Sequence, residues 1–335
     1  ISFLTDKIMR KAGLNGKSVM PMVSGLACAV PAIMSARSIE NKKERLLTIM
    51  CTPLMSCSAR LPVYTVLIAL VIPHKMYFGF ISLQGMVMML MYFLGTFMAL
   101  LAAYVMKWFI KSKEKSFFIL ELPAYRSPRW KNILTTMVER AKIFVVQAGK
   151  VIMVISLLLW ILSTYGPKEK MQAVTEKYAT LVQQNPTQAN EYKKLEATDH
   201  LENSYAGILG KSIEPFIHPL GYDWKIGIAL ITSFAAREVF VGTMATLYSV
   251  GDNADENSET LRQKMNAATW PNGEKVYTLA AGLSLLVFYA LAMQCMSTLA
   301  VVKRETHTWK WPVIMLVYMT GLAYIMSFIT FHLFK

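Results

Sequence analysis

The sequence predicts an all-α polytopic membrane protein with two inverted gate-type repeats that contain broken or re-entrant helices. Three observations lead to this prediction. Of the 335 residues, 54% are hydrophobic and only 17% are charged, whereas soluble proteins carry about 25% charged residues. Five apolar stretches are long enough to cross about 30 Å of hydrocarbon. Two further apolar stretches are interrupted by proline, glycine or charge.

The five long stretches are predicted membrane-spanning helices, at 48–72, 77–106, 141–164, 277–302 and 312–334. Lys and Arg concentrate in the connections that stay in the cytoplasm. We therefore place the three basic connections inside, namely 36–48, 107–142 and 303–311. The two acidic connections are then outside, namely 165–224 and 250–276.

With this orientation, each interrupted stretch enters and leaves on one side of the membrane. The stretch 18–36 returns to the inside, and 226–249 returns to the outside. Broken segments that enter from opposite faces are typical of inverted repeats that meet at a midplane site. The sequence accordingly divides into three parts, with a polar external insertion at 165–205: a first gate region at 1–106, a connecting part at 107–224 and a second gate region with closing helices at 225–335.

Composition and local motifs argue against several function classes. The net charge of +14 would suit a nucleic-acid partner, but the basic residues lie in loops, where membrane topology accounts for them. The segment GLNGKS at 13–18 ends like a phosphate-binding loop, yet Lys11 stands where that motif needs its first glycine. The four cysteines show no dense pairing pattern. We therefore expect no nucleic acid, no nucleotide site and no disulfide framework.

Two segments combine a thiol with proline and arginine beside apolar sequence: CAVPAIMSARS at 28–38 and MSCSARLPVY at 55–64. Sulfur ligands suit soft and borderline metals, and a helix break next to the proline would expose backbone carbonyls. Cys28 and Cys57 are therefore candidate metal ligands, with Met55 and Ser56 as supporting groups. The alternative is that both cysteines only fill space between helices, and their spacing leaves both interpretations open.

Charged residues within apolar sequence are further candidates, because an unpaired charge in a membrane is costly. Arg60 adjoins a long apolar run, so we expect it to pair or to face a cavity. Arg237 and Glu238 interrupt the second broken stretch, where they either line a pathway or form a structural ion pair. Arg37 is expected to extend to the membrane interface. Cys295 lies within a predicted span, and packing is the alternative to a metal role there.

Six motifs occur in an order that resembles the FeoB ferrous-iron transporters. They are the segment from GKSVMPM to ARLPVY at 16–64, ELPAYR at 121–126, ERAKIFVVQAGKVI at 139–152, EPFIHPLGYDWKIGIAL at 214–230, SFAAREVFVGTMATLY at 233–248 and RETHTWKWPVIMLVYMTGLAY at 304–324. The resemblance covers nearly the whole chain apart from 165–205 and 250–275. It implies a permease that moves Fe²⁺ as its substrate across a bacterial inner membrane.

The resemblance also implies a metal pathway and partners. The cysteines proposed to handle iron in the family correspond to Cys28, Cys57 and Cys295, and we expect Glu238 to support them. A cytoplasmic N-terminal GTPase domain controls transport in the family. Because the chain begins at Ile1 inside the first gate region, we expect that domain, with its GTP and Mg²⁺, to lie outside this segment. We expect no cofactor and no enzymatic reaction here. The expected partners are the lipid bilayer, the GTPase domain, a small FeoA-like protein and further copies of the chain.

Several residues depart from the family pattern. Ala29 stands where asparagine is usual, Ser58 replaces glycine, Arg237 replaces lysine, and Gln294 stands where proline is common. These departures leave Mn²⁺ or another divalent metal as an alternative substrate. A nucleoside or small-organic transporter would need aromatic and amide groups at the breaks, and a redox or metal-sensing protein would need closely spaced cysteine pairs. The sequence has thiols at the breaks and no CxxC pair.

Overall fold

The structure is a computed structural model. It describes residues 13–73, 75–77, 81–109, 165–184, 202–234, 239–248, 259–269, 275–293 and 295–335, with single residues or short groups at 6–9, 129–164, 192–200, 237 and 273. The helices in the first part of the described chain are α1 (Val19–Gly25), α2 (Ala29–Ser35), α3 (Lys42–Cys51), α4 (Leu61–Val71) and α5 (Leu83–Phe109). A two-residue antiparallel pair, β1 (Met76–Tyr77) and β2 (Ile81–Ser82), precedes α5.

The remaining described helices follow the connecting part of the chain. They are α6 (Lys168–Gln184), α7 (Tyr205–Ile217), α8 (Trp224–Ser233), α9 (Val239–Leu247), α10 (Glu259–Asn266), α11 (Leu279–Leu291), α12 (Met296–Thr306) and α13 (Lys310–Phe334). Side-chain caps define several of their starts: Asn41, Ser204, Asp223 and Thr278 each accept a hydrogen bond from a backbone N–H of the first turn. Such caps satisfy donors that have no partner inside the helix.

Four described segments are long and apolar enough to cross a membrane: 42–71, 83–108, 279–306 and 310–334. They confirm four of the five predicted spans. The fifth, 141–164, lies largely outside the described residues. The first and third segments are not continuous helices. Backbone breaks separate α3 from α4 and α11 from α12, so the predicted helices at 48–72 and 277–302 are each two shorter helices.

The two interrupted stretches are broken as predicted. Helices α1 and α2 pack against each other as a hairpin around residues 26–28. Helices α8, which ends at Ser233, and α9, which begins at Val239, also pack against each other. Each half of the chain therefore runs through a broken hairpin, a broken long helix and an uninterrupted long helix. The order of elements agrees with two gate-type repeats, and their inversion across a membrane stays a prediction.

The chain forms two compact units. The first comprises Ile1–Ser58, Phe93–Met153 and Met296–Met319, and the second comprises Ala59–Tyr92, Val154–Cys295 and Thr320–Lys335. Each unit draws on separate stretches of chain, so the predicted division at 1–106, 107–224 and 225–335 describes sequence order and stays a prediction.

In the first unit, α2 packs on α12, and Arg37 beyond the end of α2 forms a bidentate pair with Glu305 near the end of α12. The Arg37 side chain is 49% exposed and the Glu305 side chain only 7%. Arg37 was expected to extend to the membrane interface, and its pairing with Glu305 is a finding of the structure. The pairing needs α2 and α12 in contact, and their residues are far apart in sequence.

In the second unit, α4 and α11 form an antiparallel pair. Arg60 at the start of α4 contacts the end of α11, whereas Val71 at the end of α4 touches Gly282 near the start of α11. Tyr222 is fully buried, and its hydroxyl lies 2.9 Å from the Ser284 Oγ of α11. Ser284 and Ser327 exchange hydrogen bonds of 3.0 Å and so join α11 to α13.

Candidate functional site

The first break holds Cys28 in an extended conformation. Helix α1 ends at Gly25, and Cys28, with φ −155° and ψ 134°, is the N-cap residue of α2. Pro31 lies in the first turn of α2, where its missing N–H breaks no helical hydrogen bond. The break therefore precedes the proline. Pro31 belongs to the first turn of the second helix and does not end the first one.

The second break separates α3 from α4 and contains the other predicted groups. After α3, a 3₁₀ turn runs over Thr52–Leu54 and another over Ser58–Arg60. Met55, Ser56 and Cys57 lie between these turns, with exposed fractions of 4%, 0% and 5%. Non-helical backbone at membrane depth is tolerated only where protein or a water-filled cavity surrounds it. The burial of this segment meets that condition.

Hydrogen bonds join the two breaks of the first unit. The Ala27 carbonyl accepts from the Ser58 N–H at 3.4 Å and from the Ser58 hydroxyl at 2.9 Å. Ala27 directly precedes Cys28, and Ser58 directly follows Cys57. The structure thus brings the two predicted thiols to neighbouring positions, although 29 positions separate them in the chain.

Two glycines let helices approach these breaks. A Cβ atom on Gly25 would lie 3.1 Å from the Thr52 Cγ2 and 3.4 Å from the Met55 Cβ. A Cβ atom on Gly95, in α5, would lie 2.7 Å from the Ser56 Oγ and 3.1 Å from the Leu54 carbonyl oxygen. Helix α5 therefore lies directly on the second break. Sequence reasoning missed Gly95, because a glycine in a long apolar helix is common and gives no sign of its neighbour.

In the second unit, two buried arginines occupy the C-terminal end of α11. Arg60 donates to the Ala290 carbonyl at 2.6 Å and to the Ala292 carbonyl at 3.2 Å. Arg237 donates to the Ala292 carbonyl at 2.9 Å, and also to the Met293 carbonyl. Arg60 is 0% exposed and Arg237 is 4% exposed. Arg60 was expected to pair or to face a cavity, and its partners are backbone carbonyls.

An aromatic residue of α11 helps to hold Arg237 in place. The Arg237 guanidinium lies 5.1 Å from the centre of the Tyr289 ring, at cation–π distance. The Tyr289 hydroxyl donates to the Ser233 hydroxyl at 3.0 Å, which ties α11 to the last residue of α8. Phe240 of α9 packs edge-on against the same ring. The break between α8 and α9 is thus attached to the end of α11. Sequence reasoning missed Tyr289, because nothing distinguishes it from other aromatic residues of an apolar helix.

The structure gives less information on the other two predicted groups, Cys295 and Glu238. Cys295 belongs to the second unit, is half-buried and lies just before α12 begins. Glu238 lies outside the described residues, so its suggested ion pair with Arg237 stays a prediction. In the described part of the chain, no three His, Cys, Asp or Glu side chains are grouped so as to hold a metal ion. The predicted ligands therefore do not form a closed metal site there.

Two cavities in the second unit lie away from the thiols. One of about 750 Å³ is lined by Glu214, Asp223, Lys225, Tyr248 and Lys264 among others. Asp223, which caps α8, is only 7% exposed, and this burial raises its pKa to about 6. The other cavity, of about 660 Å³, lies between the start of α11 and the end of α13. The first cavity combines acidic, basic and aromatic groups, which distinguishes it from the thiol-containing breaks.

Comparison with known proteins shows to which family the chain belongs. The Gate family, described as "Nucleoside recognition", matches residues 1–71 and 145–309. The family described as "Ferrous iron transport protein B C terminus" matches residues 88–140. A Leptospira biflexa protein named Fe(2+) transporter FeoB is 43% identical over 334 residues, which is 100% of this chain and 45% of that protein. The chain belongs to the FeoB family.

Other FeoB relatives extend the comparison. The Methanocaldococcus jannaschii Fe(2+) transporter FeoB is 35% identical, over 98% of this chain and 43% of its own length. A Porphyromonas gingivalis protein named as a fusion of Fe(2+) transport protein A and Fe(2+) transporter FeoB is 35% identical, over 99% of this chain and 39% of its own length. The chain thus spans less than half the length of these FeoB relatives. No solved structure matches it. The family resemblance stated from the motifs is confirmed, and the apolar helices are those of a multi-pass membrane protein.

Proposed function

We propose that this chain is the membrane permease of a ferrous-iron transporter and moves Fe²⁺ through a gate that contains Cys28 and Cys57. The names of the FeoB relatives support Fe²⁺ as the substrate. The observation that carries the proposal is the pair of hydrogen bonds from Ser58 to the Ala27 carbonyl. Through them, two helix breaks that each carry a thiol become neighbours.

The chemistry of these groups suits a permeating ion. Thiolate sulfur is a good ligand for borderline metals such as Fe²⁺, and Met55 and Ser56 offer a thioether and oxygen atoms beside it. A closed set of four protein ligands would hold the ion as a structural site does. Conduction needs binding that replaces the hydration of the ion and then releases it. An incomplete set of two thiols with weaker neighbours meets that need.

Cys295 and Glu238 complete the proposed pathway as supporting groups. Cys295 precedes α12 at the corresponding break of the second half, and Glu238 adds a carboxylate that suits a divalent cation. In this proposal the ion meets the thiols of the first half as its main ligands. The groups of the second half then assist its passage.

The family also suggests how transport is controlled and where the protein is located. We propose that nucleotide-driven motion of a GTPase domain, outside this segment, opens the gate through the basic connection 107–142. Most of that connection lies outside the described residues. The fused Porphyromonas gingivalis relative supports a small FeoA-like partner. The proposed location is the bacterial inner membrane, with the basic connections in the cytoplasm and further copies of the chain as partners.

Mn²⁺ is the second candidate substrate. Ala29, at the first position of α2, has no polar side chain beside Cys28, so the first break lacks an amide ligand there. The description of the Gate family also makes a nucleoside transporter an alternative. The buried Met55, Ser56 and Cys57 of the second break favour a metal ion over a nucleoside, because a nucleoside needs stacking and amide groups.

The test is metal uptake in a bacterial strain that lacks its own iron permease. The protein is expressed from its complete coding sequence as wild type, Cys28→Ser, Cys57→Ser and the double variant. We expect each single variant to lower the rate of Fe²⁺ uptake about tenfold or more. A tenfold lower rate corresponds to a loss of about 1.4 kcal/mol in the stabilisation of the passing ion. Cys51→Ser is the matched control for the general effect of removing a buried thiol, because Cys51 is the fully buried last residue of α3 and is not one of the proposed ligands.

The results separate the parts of the proposal. Normal Fe²⁺ uptake by the double variant would remove the thiols from the pathway. Wild-type uptake of Mn²⁺ in preference to Fe²⁺ would replace the proposed substrate. Uptake of neither metal, with protein present in the membrane, would contradict the metal permease itself.

A further inference from the structure

The two buried arginines occupy a place that attracts cations. The last carbonyls of a helix have no partner inside it and carry about half a negative charge. At the end of α11, Arg60 and Arg237 already donate to the carbonyls of Ala290, Ala292 and Met293. A guanidinium does not lose its proton in a protein. Two permanent positive charges therefore sit where a mobile cation would otherwise bind.

The corresponding helix of the first half ends differently. The described side-chain hydrogen bonds at the end of α3 come from neutral hydroxyls: Tyr318 donates to the Met50 carbonyl, and Thr52 donates to the Thr48 carbonyl at 2.6 Å. A hydroxyl satisfies a carbonyl without adding charge. The end of α3 therefore keeps its attraction for a cation, whereas two guanidiniums cancel that of α11. The two halves share an order of elements and differ in this electrostatic respect.

The packing shows that the arrangement is built and not incidental. Burying a charge is costly unless hydrogen bonds compensate it, and both guanidiniums have such bonds. The Tyr289 ring lies 5.1 Å from the Arg237 guanidinium, and the Tyr289 hydroxyl is held by Ser233. Arg60 is held by the packing of α4 on α11. Each arginine comes from a different break, and both donate to the Ala292 carbonyl.

We propose that Arg60 and Arg237 act as tethered cations, which fill the electronegative end of α11 and so determine the ion selectivity of the permease. With these carbonyls occupied, K⁺ and other mobile cations find no binding site at the second long break. A transported ion is then held only where a thiol ligand is present. The inference rests on the proposed function for the identity of the transported ion, and on the hydrogen bonds alone for the filled helix end.

The selectivity test uses the full-length protein in liposomes. K⁺ and Fe²⁺ fluxes are measured for the wild type, Arg60→Gln, Arg237→Gln, Arg237→Lys and the control Arg45→Gln, a half-buried arginine of α3. We expect each Gln variant to raise the ratio of K⁺ to Fe²⁺ flux at least about tenfold, because the exposed carbonyls then bind K⁺. For Arg237→Lys and Arg45→Gln, the ratio of K⁺ to Fe²⁺ flux should stay within about twofold of the wild-type ratio. Equal loss of both fluxes in the Gln variants, with the ratio unchanged, would overturn the inference and leave a structural role.

A second measurement separates this inference from the transport proposal. Thermal unfolding of the same purified variants is compared in choline, potassium and low guanidinium chloride at equal ionic strength. A vacated cation site predicts that potassium or guanidinium raises the Tm of Arg237→Gln by several degrees over choline, with no such gain for the wild type or Arg45→Gln. Equal Tm values of Arg237→Gln in all three salts, or failure to fold in all three, would overturn the tethered-cation role. A wild type that carries no Fe²⁺ would instead contradict the proposed function and leave this result standing.

Discussion

Helices α4 and α11 approach each other so closely at Gly282 that an added methyl group should separate them. A Cβ atom on Gly282 would lie 2.1 Å from the Val71 Cγ2 and 2.9 Å from the Val71 Cβ and Cγ1. Carbon atoms pack at about 3.5–4.0 Å, so the Gly282→Ala variant needs a shift of about 1.5 Å. Val71 is β-branched and has little freedom to rotate away within a helix. The helices must therefore move apart. Small residues are common where membrane helices pack this closely, because they let the backbones approach each other.

We expect Gly282→Ala to lower the free energy of unfolding by about 1–3 kcal/mol, the usual cost of overpacking. Val71→Ala alone should cost about 1 kcal/mol, because Val71 is half-buried and loses two methyl groups. In the double variant the new methyl occupies the space that the valine vacates. The coupling energy between the two substitutions should therefore be at least about 1 kcal/mol in the favourable direction. Because Arg60 reaches α11 through the same helix pair, Fe²⁺ uptake should fall in Gly282→Ala and recover in the double variant.

The measurement is equilibrium unfolding in detergent together with uptake in the permease-deficient strain. Gly321→Ala in α13 is the matched control, because nothing lies within 4 Å of a Cβ atom at Gly321. An alanine there should be neutral or stabilise the helix by up to about 1 kcal/mol. If Gly282→Ala is as harmless as Gly321→Ala, or if Val71→Ala fails to compensate it, the close contact of α4 with α11 is wrong.

Two further predictions concern the other described contacts. Gly95→Ala should lower stability by about 1–2 kcal/mol and reduce Fe²⁺ uptake, because the methyl would press on Ser56 at the second break; unchanged uptake and Tm would show that α5 does not contact that break. Burial, with a smaller contribution from Glu214, raises the pKa of Asp223 to about 6, against the smaller opposing effects of its bond from the Ile226 N–H and of Lys225. A carboxyl whose pKa is raised in the folded protein favours folding fully below its unfolded pKa near 4, and this contribution is lost as the pH rises through 6. Between pH 4 and pH 7 the wild type should thus lose up to about 3 kcal/mol relative to Asp223→Asn, whose side chain can still cap α8; parallel profiles of Tm against pH would contradict this.

Much of the architecture follows from local sequence features. Four predicted spans are confirmed because apolar length depends only on consecutive residues. The breaks after α1 and after α8 were also predictable, because Gly25 and Pro31 flank the first one and the charged Arg237 lies between α8 and α9. The position of the first break relative to Pro31 was harder to predict. A proline both ends and begins helices, and the choice depends on which turn the rest of the chain allows.

For the candidate site, too, one part could be predicted from the sequence and another part could not. Its residue types were evident from sequence, because a thiol or an arginine within apolar sequence is costly or reactive enough to need an explanation. Their partners were not evident. The partner of Arg37 is Glu305, and the partners of Arg60 are the carbonyls of Ala290 and Ala292, each more than 200 positions away.

The sequence by itself determined that this is a helical membrane protein of the FeoB family with broken segments, because hydrophobic length, breaker residues and ordered motifs are properties of consecutive residues. The tertiary structure alone decided which groups meet. It placed Ser58 on the Ala27 carbonyl beside two thiols, and it placed Arg60 and Arg237 on the end of α11. These contacts depend on how the helices pack, and packing joins distant parts of the chain through shape and hydrogen-bond satisfaction that no local pattern records.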